Sequence, residues 1–483
     1  MSLPLHYLEF IVVAIGLMVL LAEAFLPKEK KAYLGWGSVL GLTFTLVLLV
    51  FAKDAHGPEF ERFYSSDKSA RFFKALALVI TILTVLMAID YRKVLTRFTD
   101  NPKSEDGTGE FYALPLFACA GMMWMASAKD LILAFVALEL TTITFYILVA
   151  YMRRNIGSLE AGVKYLILGA LSTGILVYGI AWIYGMTGTM NLVDIANSDL
   201  SNNTTGVLFG IALIIIALAF KVGAVPMHLW IPDVYQGAPT PTTAFLSVGS
   251  KAAGFIVAMR ILEPFLQNEA TSKSTVFILS IIAAATLIVG NLGAIAQTNL
   301  KRLLAYSSIA NAGFLVLALA AWTKETGSLP ATYQIVGFYL ATYLIMTVAA
   351  LFALQSISQN TGSEMIASLN GLGQSHPALA WTLTILAASL AGLPLTVGFY
   401  GKFYVFHAAI QADLWWAIGA GFIGVVAGFY YYLKIIQAMF WKPSSRDSEI
   451  YLSSITKAVI YPAAALIILL GFYPDPILKL AGL

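Results

Sequence analysis

Five ionisable residues stand in stretches that are otherwise almost wholly apolar. Glu139 lies in LAFVALELTTITFYIL, Lys164 in EAGVKYLILG and Lys402 in LTVGFYGKFYVF, while Lys221 and Lys251 bracket FKVGAVPMHLWIPDVYQGAPTPTTAFLSVGSK. A carboxylate surrounded by hydrocarbon either ionises beside a cation or takes up a proton. Lysine can give up its proton when an acidic partner is lost, and arginine cannot. This set of residue types is therefore suited to proton exchange. A lysine at the bilayer centre costs about 2.5–3.5 kcal/mol on insertion scales, so several in one chain argue against accident. His228, just past a proline break, could join such a relay. Each residue also has a plainer reading. Glu139 would then be a structural partner for one lysine, Lys164, about five residues into its helix, would snorkel to the interface, and His228 would be a hydrogen-bonded core residue. His407, Lys301, Arg302 and Lys434 are weaker candidates, the last three lying near span ends. The five histidines are scattered, and none pairs at helical spacing with a second metal ligand.

The elements that must hold these residues are membrane helices. With 59% hydrophobic and 11% charged residues, the chain is far from the soluble norm of roughly 25% charged. Segments long enough to cross about 30 Å of hydrocarbon recur from end to end. The fold expected is all-α and polytopic, with about fourteen transmembrane helices and few residues left for a soluble domain. Three spans come first, near 5–26, 34–52 and 72–91, and a polar loop with Pro102, Gly107 and Gly109 closes a first region at 1–110. Two sets of five spans follow, in regions 111–265 and 266–442, and a last span lies in 443–483. In each set the fourth span is broken, by KVGAVPMHLWIP in the first and SLAGLPLTVGFYGKF in the second. Prolines at membrane depth are tolerated only where freed backbone groups face protein or water. Interrupted segments at matching places in two halves point to a transport site. An odd number of spans per set makes the repeat an inverted one.

Other classes are excluded or set aside. Cys119 is the only cysteine, so disulfides, thiolate-held iron–sulfur clusters and four-cysteine zinc sites within this chain are ruled out. No basic stripe points to nucleic acid. Gly419, Gly421 and Gly424 spell GxGxxG, but no strand precedes them. Gly424 with Gly428, and Gly37 with Gly41, are expected to allow close helix packing. The first span carries Glu9 and Glu23, follows no basic residue and lacks a small-residue cleavage site, so it is expected to be retained. Basic residues favour the loops after odd-numbered spans, among them Lys28, Lys30, Lys31, Arg92, Lys93, Arg153, Arg154, Lys442 and Arg446. That side is expected to be cytoplasmic, with both termini on the outer side of the inner membrane. The loop with Arg62, Lys68 and Arg71 votes the other way.

The stretches FKVGAVPMHLWIPDVYQGAPTPTTAFLSVGSKAAGF, NLKRLLAYSSIANAGF and LAGLPLTVGFYGKFYVF resemble the antiporter-like membrane subunits of proton-pumping NADH:quinone oxidoreductase, respiratory complex I. That wider family includes subunits of Mrp-type cation/proton antiporters and membrane-bound hydrogenases, which supply the alternative reading. The likeness is greatest to the subunit N branch, because Lys402 stands where the related subunit M has a glutamate. The resemblance implies a proton relay in which Glu139 pairs with Lys221, Lys164 modulates the pair, and Lys251 and Lys402 carry the proton on. It also implies no cofactor in this chain, with quinone, FMN and iron–sulfur clusters in partner subunits, and antiporter-like membrane neighbours in the bilayer. Many relatives have a histidine where this chain has Asn311, so a relay through that position would need water or another residue.

Overall fold

The computed structural model describes residues 3–27, 30–54, 58–98, 107–201, 203–323, 330–443 and 450–482. Lys28, Pro102 and Arg446, used above, lie outside the described residues. The chain divides into two compact units, one of residues 1–230 and 237–281, the other of residues 231–236 and 282–482.

The first unit opens with α1 (Tyr7–Phe25), α2 (Ala32–Phe51), a single turn α3 (Pro58–Glu61) and α4 (Lys68–Leu95). It continues with α5 (Thr108–Ser127), α6 (Leu131–Val149), α7 (Ile156–Thr187), short α8 (Leu192–Asn197) and α9 (Thr204–Val222). Several of these helices, α4, α6, α7 and α8, start at side-chain caps that satisfy otherwise orphaned amides. Asp67 accepts from Ala70 N at 2.7 Å at the head of α4, and Asp130 from Ile132 N at 2.8 Å at the head of α6. Asn155 does the same for α7. α9 stops where Gly223 turns left-handed, at φ 78°, a conformation glycine adopts without penalty.

After this break come α10 (Trp230–Gly237), α11 (Thr240–Phe245), a π-helical turn over Leu246–Ser250 and α12 (Lys251–Gln267). α11, the π turn and α12 run on as one helix whose most apolar window is 89% buried, against 33% for α1 and α2. The helix carrying Lys251 is thus at the centre of its unit. α13 (Glu269–Ile295) follows.

In the second unit, α14 (Leu300–Ala320) and α15 (Thr332–Thr361) are the central helices, each again 89% buried. A short α16 (Leu372–Ser375) leads to α17 (Pro377–Ala391), which ends at Gly392 with φ 90°. α18 (Val397–Gln411), α19 (Trp415–Trp441), α20 (Ser454–Phe472) and a terminal α21 (Asp475–Gly482) complete the unit. Residues 231–236 of α10 count with it, where Asp233 receives Arg302 at 2.7 Å and the Tyr235 and Ser308 hydroxyls bond at 3.1 Å.

Among the described residues, 12 helices are long and apolar enough to cross a membrane. With the shorter apolar helix α17 they come close to the expected fourteen, and the chain is a multi-pass membrane protein. The peripheral helices turn large apolar side chains outward, as Leu40, Val50, Ile167 and Val426 do. Helices apolar all round belong in hydrocarbon. One packing expectation fails in part. Gly41 lies close against Ile15, but nothing comes within 4 Å of a Cβ at Gly37, so that pair does not form one contact face.

Candidate functional site

The geometry centres on the end of α9. Lys221 is the penultimate residue of this helix, where the partial negative charge of the terminal carbonyls favours a cation. Its Nζ lies 3.6 Å from Glu139 Oε1, and it donates to Thr142 Oγ1 at 2.8 Å. Glu139, on α6, also accepts from the Thr173 hydroxyl of α7 at 2.8 Å. The Lys221 and Glu139 side chains are 6% and 20% exposed. With the ammonium buried and the carboxylate largely covered, the pair holds best while both charges are matched, because an uncompensated ion in hydrocarbon is strongly disfavoured. The carboxylate and the ammonium are therefore a unit whose charge can change only by moving a proton.

The break that follows is satisfied locally. Gly223 N donates to Phe220 O at 3.3 Å and Ala224 N to Ala219 O at 2.8 Å. The indole of Trp230 donates to Phe220 O at 3.1 Å and stacks on Tyr165 with centroids 4.6 Å apart. Aromatic packing thus pins the end of α9, and Lys221 with it.

Lys251 is buried at 2% exposure. One turn on, Gly254 lets α12 press on the end of α9, since a Cβ there would stand 3.0 Å from Val222 Cγ1 and 3.6 Å from the Lys221 carbonyl. Lys251 thereby shares the first unit with Glu139 and Lys221. Lys164 points elsewhere. It is half-exposed on α7 and pairs with Glu160 one turn earlier at 2.8 Å. His228 lies half-buried in the turn between α9 and α10, its Nδ1 buried without a protein partner.

In the second unit, Lys402 on α18 turns back to the preceding half-helix. Its Nζ donates to Leu390 O at 3.0 Å and Ala391 O at 2.6 Å, the last carbonyls of α17, and lies 5.4 Å from the Phe314 ring centroid. Its counter-charge is a helix end rather than a carboxylate. Asn311, also in this unit, accepts from the Tyr339 hydroxyl at 2.6 Å and donates to Ser307 O at 2.8 Å. Ser307 in turn bonds the Tyr432 hydroxyl. The weaker candidates have local partners. Lys301 pairs with Glu364 at 2.7 Å, Lys434 donates to Gln297 O at 2.9 Å, and His407 stacks on Phe403.

Sequence reasoning missed the hydroxyls. Thr142 follows Glu139 by three residues and so shares its helix face, a signal that was legible; Thr173 is on another helix and carried none. It also missed Lys74, which meets Glu9 at 2.5 Å with both side chains wholly buried. Among the described residues, no group of three or more His, Cys, Asp or Glu is placed to hold a metal ion.

Twelve apolar spans among the described residues, with helix breaks beside Lys221 and Lys402, define a membrane transport subunit. The family model described as NADH:quinone oxidoreductase/Mrp antiporter, TM matches residues 128–428. The NADH-quinone oxidoreductase subunit N of Heliobacterium modesticaldum is 38% identical over 468 residues, 96% of this chain and 94% of the relative. That of Trichlorobacter lovleyi is also 38% identical, over 98% of this chain and 95% of the relative. A chain of respiratory complex I from Thermus thermophilus with bound aureothin superposes with a TM-score of 0.79 at 31% identity, covering 98% of each chain. A chain of a membrane-bound sulfane sulfur reductase, an archaeal respiratory membrane complex, gives 0.84 at 27% identity, covering 98% of this chain and 95% of its own. The chain belongs to the NADH-quinone oxidoreductase subunit N family.

Proposed function

We propose that this chain is a proton-translocating membrane subunit of an NADH-quinone oxidoreductase, acting within a multi-subunit complex beside other membrane subunits of its own kind. The observation that carries this reading is the Glu139–Lys221 pair at the broken end of α9. When Glu139 is neutralised or displaced, Lys221 loses its counter-charge and releases its proton. The proton passes, with water, by Lys251 toward Lys402. The α17 carbonyls that hold Lys402 keep a protonated ammonium in place without a carboxylate. His228 and Lys164 are auxiliary positions in this scheme, His228 as an exchange group at the break and Lys164 as a charge that tunes the pair.

Electron transfer is assigned to partner subunits that hold FMN, iron–sulfur clusters and quinone. The complex sits in the cell inner membrane, with both termini of this chain on the outer side. The spans divide into residues 1–110, two inverted five-helix sets at 111–265 and 266–442, and 443–483. Purification in mild detergent through a tag on this chain tests the assignment. Flavin and iron–sulfur subunits with NADH-driven quinone reduction are expected; small membrane proteins without redox activity would overturn it in favour of a cation/proton antiporter.

A further inference from the structure

A second buried acid–base cluster lies in the first unit, built from α1, α4 and the segment before α4. Glu9 and Lys74 are both 0% exposed, and Lys74 Nζ lies 2.5 Å from Glu9 Oε1. The Tyr64 hydroxyl donates to the same Oε1 at 2.8 Å and itself accepts from Lys74. Tyr64 is held by backbone pairing of its segment with the end of α5, where Ser65 N donates to Ser127 O at 2.7 Å and Lys129 N to Phe63 O at 2.9 Å. Both polar contacts to the carboxylate fall on one oxygen. The other, Oε2, is buried and has no protein hydrogen-bond partner.

An ion pair built only for cohesion would be expected to satisfy both oxygens, since a buried unpaired acceptor on a charged group is costly. Here the free oxygen is matched by a second unpartnered atom. His6, three residues earlier and thus on the same face of the chain entering α1, has a buried Nδ1 with no protein partner. Its ring meets Tyr64 edge-on at 6.2 Å and packs on Phe60 at 4.4 Å, and the residue is half-buried at the end of the span. Both unpartnered atoms thus belong to residues that contact Tyr64.

Two other charges at the head of α4 are committed to partners elsewhere. Arg71 on α4 pairs with Asp54 at 2.6 Å, and Asp67 is held by Arg260 at 2.5 Å. α2 carries no charged residue. α5 contributes the buried thiol of Cys119, which contacts Met123 Sδ.

We propose that His6, Glu9, Tyr64 and Lys74 form a proton-binding site, separate from the Glu139–Lys221 pair, that loads one proton onto Glu9 Oε2 by way of His6. In this step an aqueous proton is passed by the imidazole to the carboxylate. Glu9 becomes a neutral acid, His6 returns to its starting form, and the net charge of the site rises by one because the Lys74 ammonium is left uncompensated. Loading therefore removes the attraction that ties α1 to α4.

The test is infrared difference spectroscopy of the assembled membrane complex during a pH titration. A carboxylic C=O stretching band is expected to grow on acidification. It should be lost in Glu9→Gln and retained in Glu139→Gln, which separates this site from the Glu139 reading. Identical spectra for Glu9→Gln and wild type would overturn the proposal. His6→Phe keeps the ion pair and should slow hydrogen–deuterium exchange of the band, and unchanged exchange would contradict entry through His6.

Discussion

The ammonium of Lys402 caps the helix that precedes its own, donating to Leu390 O at 3.0 Å and Ala391 O at 2.6 Å. Lys221, at the matching break in the first unit, faces the Glu139 carboxylate at 3.6 Å instead. One lysine is thus balanced by a residue that can be neutralised and the other by carbonyl dipoles that cannot.

Lys402 should respond differently to two substitutions. Lys402→Arg keeps the positive charge at the α17 carbonyls but cannot release a proton at working pH, so assembly is expected to hold while proton translocation is lost. Lys402→Met leaves two carbonyls without their donor, costing about 1–3 kcal/mol, and should lower thermal stability as well. Native gels and dye-quenching assays on vesicles check both outcomes.

Gly392 is required twice over. Its φ is 90°, and a Cβ would fall 2.9 Å from Lys402 Cδ and 3.1 Å from Nζ. Gly392→Ala is expected to destabilise by about 1–3 kcal/mol through backbone strain and crowding. Gly419→Ala is the comparison, since nothing lies within 4 Å of a Cβ there and the site lies in the second turn of α19; it should be neutral or stabilising by up to about 1 kcal/mol. Thermal denaturation of the two purified variants reads the difference.

Removing the hydroxyls around the ion pair tests whether they tune it. Thr142→Val loses the 2.8 Å bond from Lys221, and Thr173→Val the 2.8 Å bond to Glu139. A hydrogen bond to a charged group contributes about 1.5–3 kcal/mol, so each change should alter the translocation rate by roughly 10-fold or more. Initial rates of vesicle acidification in assembled mutants give the answer.

Asp67 carries a pH dependence outside the spans. Burial alone would raise its carboxyl, but the Arg260 guanidinium, bound at 2.5 Å, and the Ala70 amide outweigh this and hold it below the ordinary value. Since the folded value is the depressed one, the stabilisation is present above the unfolded value of about 3.9 and is lost as pH falls through the folded value. Asp67→Asn is therefore expected to lower the melting temperature at neutral pH. The gap to wild type should close in strong acid, as a melting series over pH would record.

The spans and both breaks were legible in the sequence because apolar length and proline or glycine interruptions are local signals. Glu139, Lys221, Lys251 and Lys402 stood out for the same reason, as charges in apolar runs. Lys164 stood out equally, yet its half-exposed place on α7 depends on which helix face packs inward, which composition does not give. Lys74 was overlooked because Arg71 and Lys68 nearby make it read as part of a basic helix start, and its partner Glu9 is 65 residues away. Hydroxyl partners such as Thr173 and Tyr339 join distant helices and leave no local mark.

The most direct measurement is NADH-driven proton translocation in vesicles holding the assembled complex with Lys221→Ala, set beside Lys434→Met, which removes only a bond to Gln297 O. A large loss of translocation for Lys221→Ala with assembly retained, and a mild effect for Lys434→Met, is the predicted result. Normal translocation in a stably assembled Lys221→Ala complex would contradict the relay.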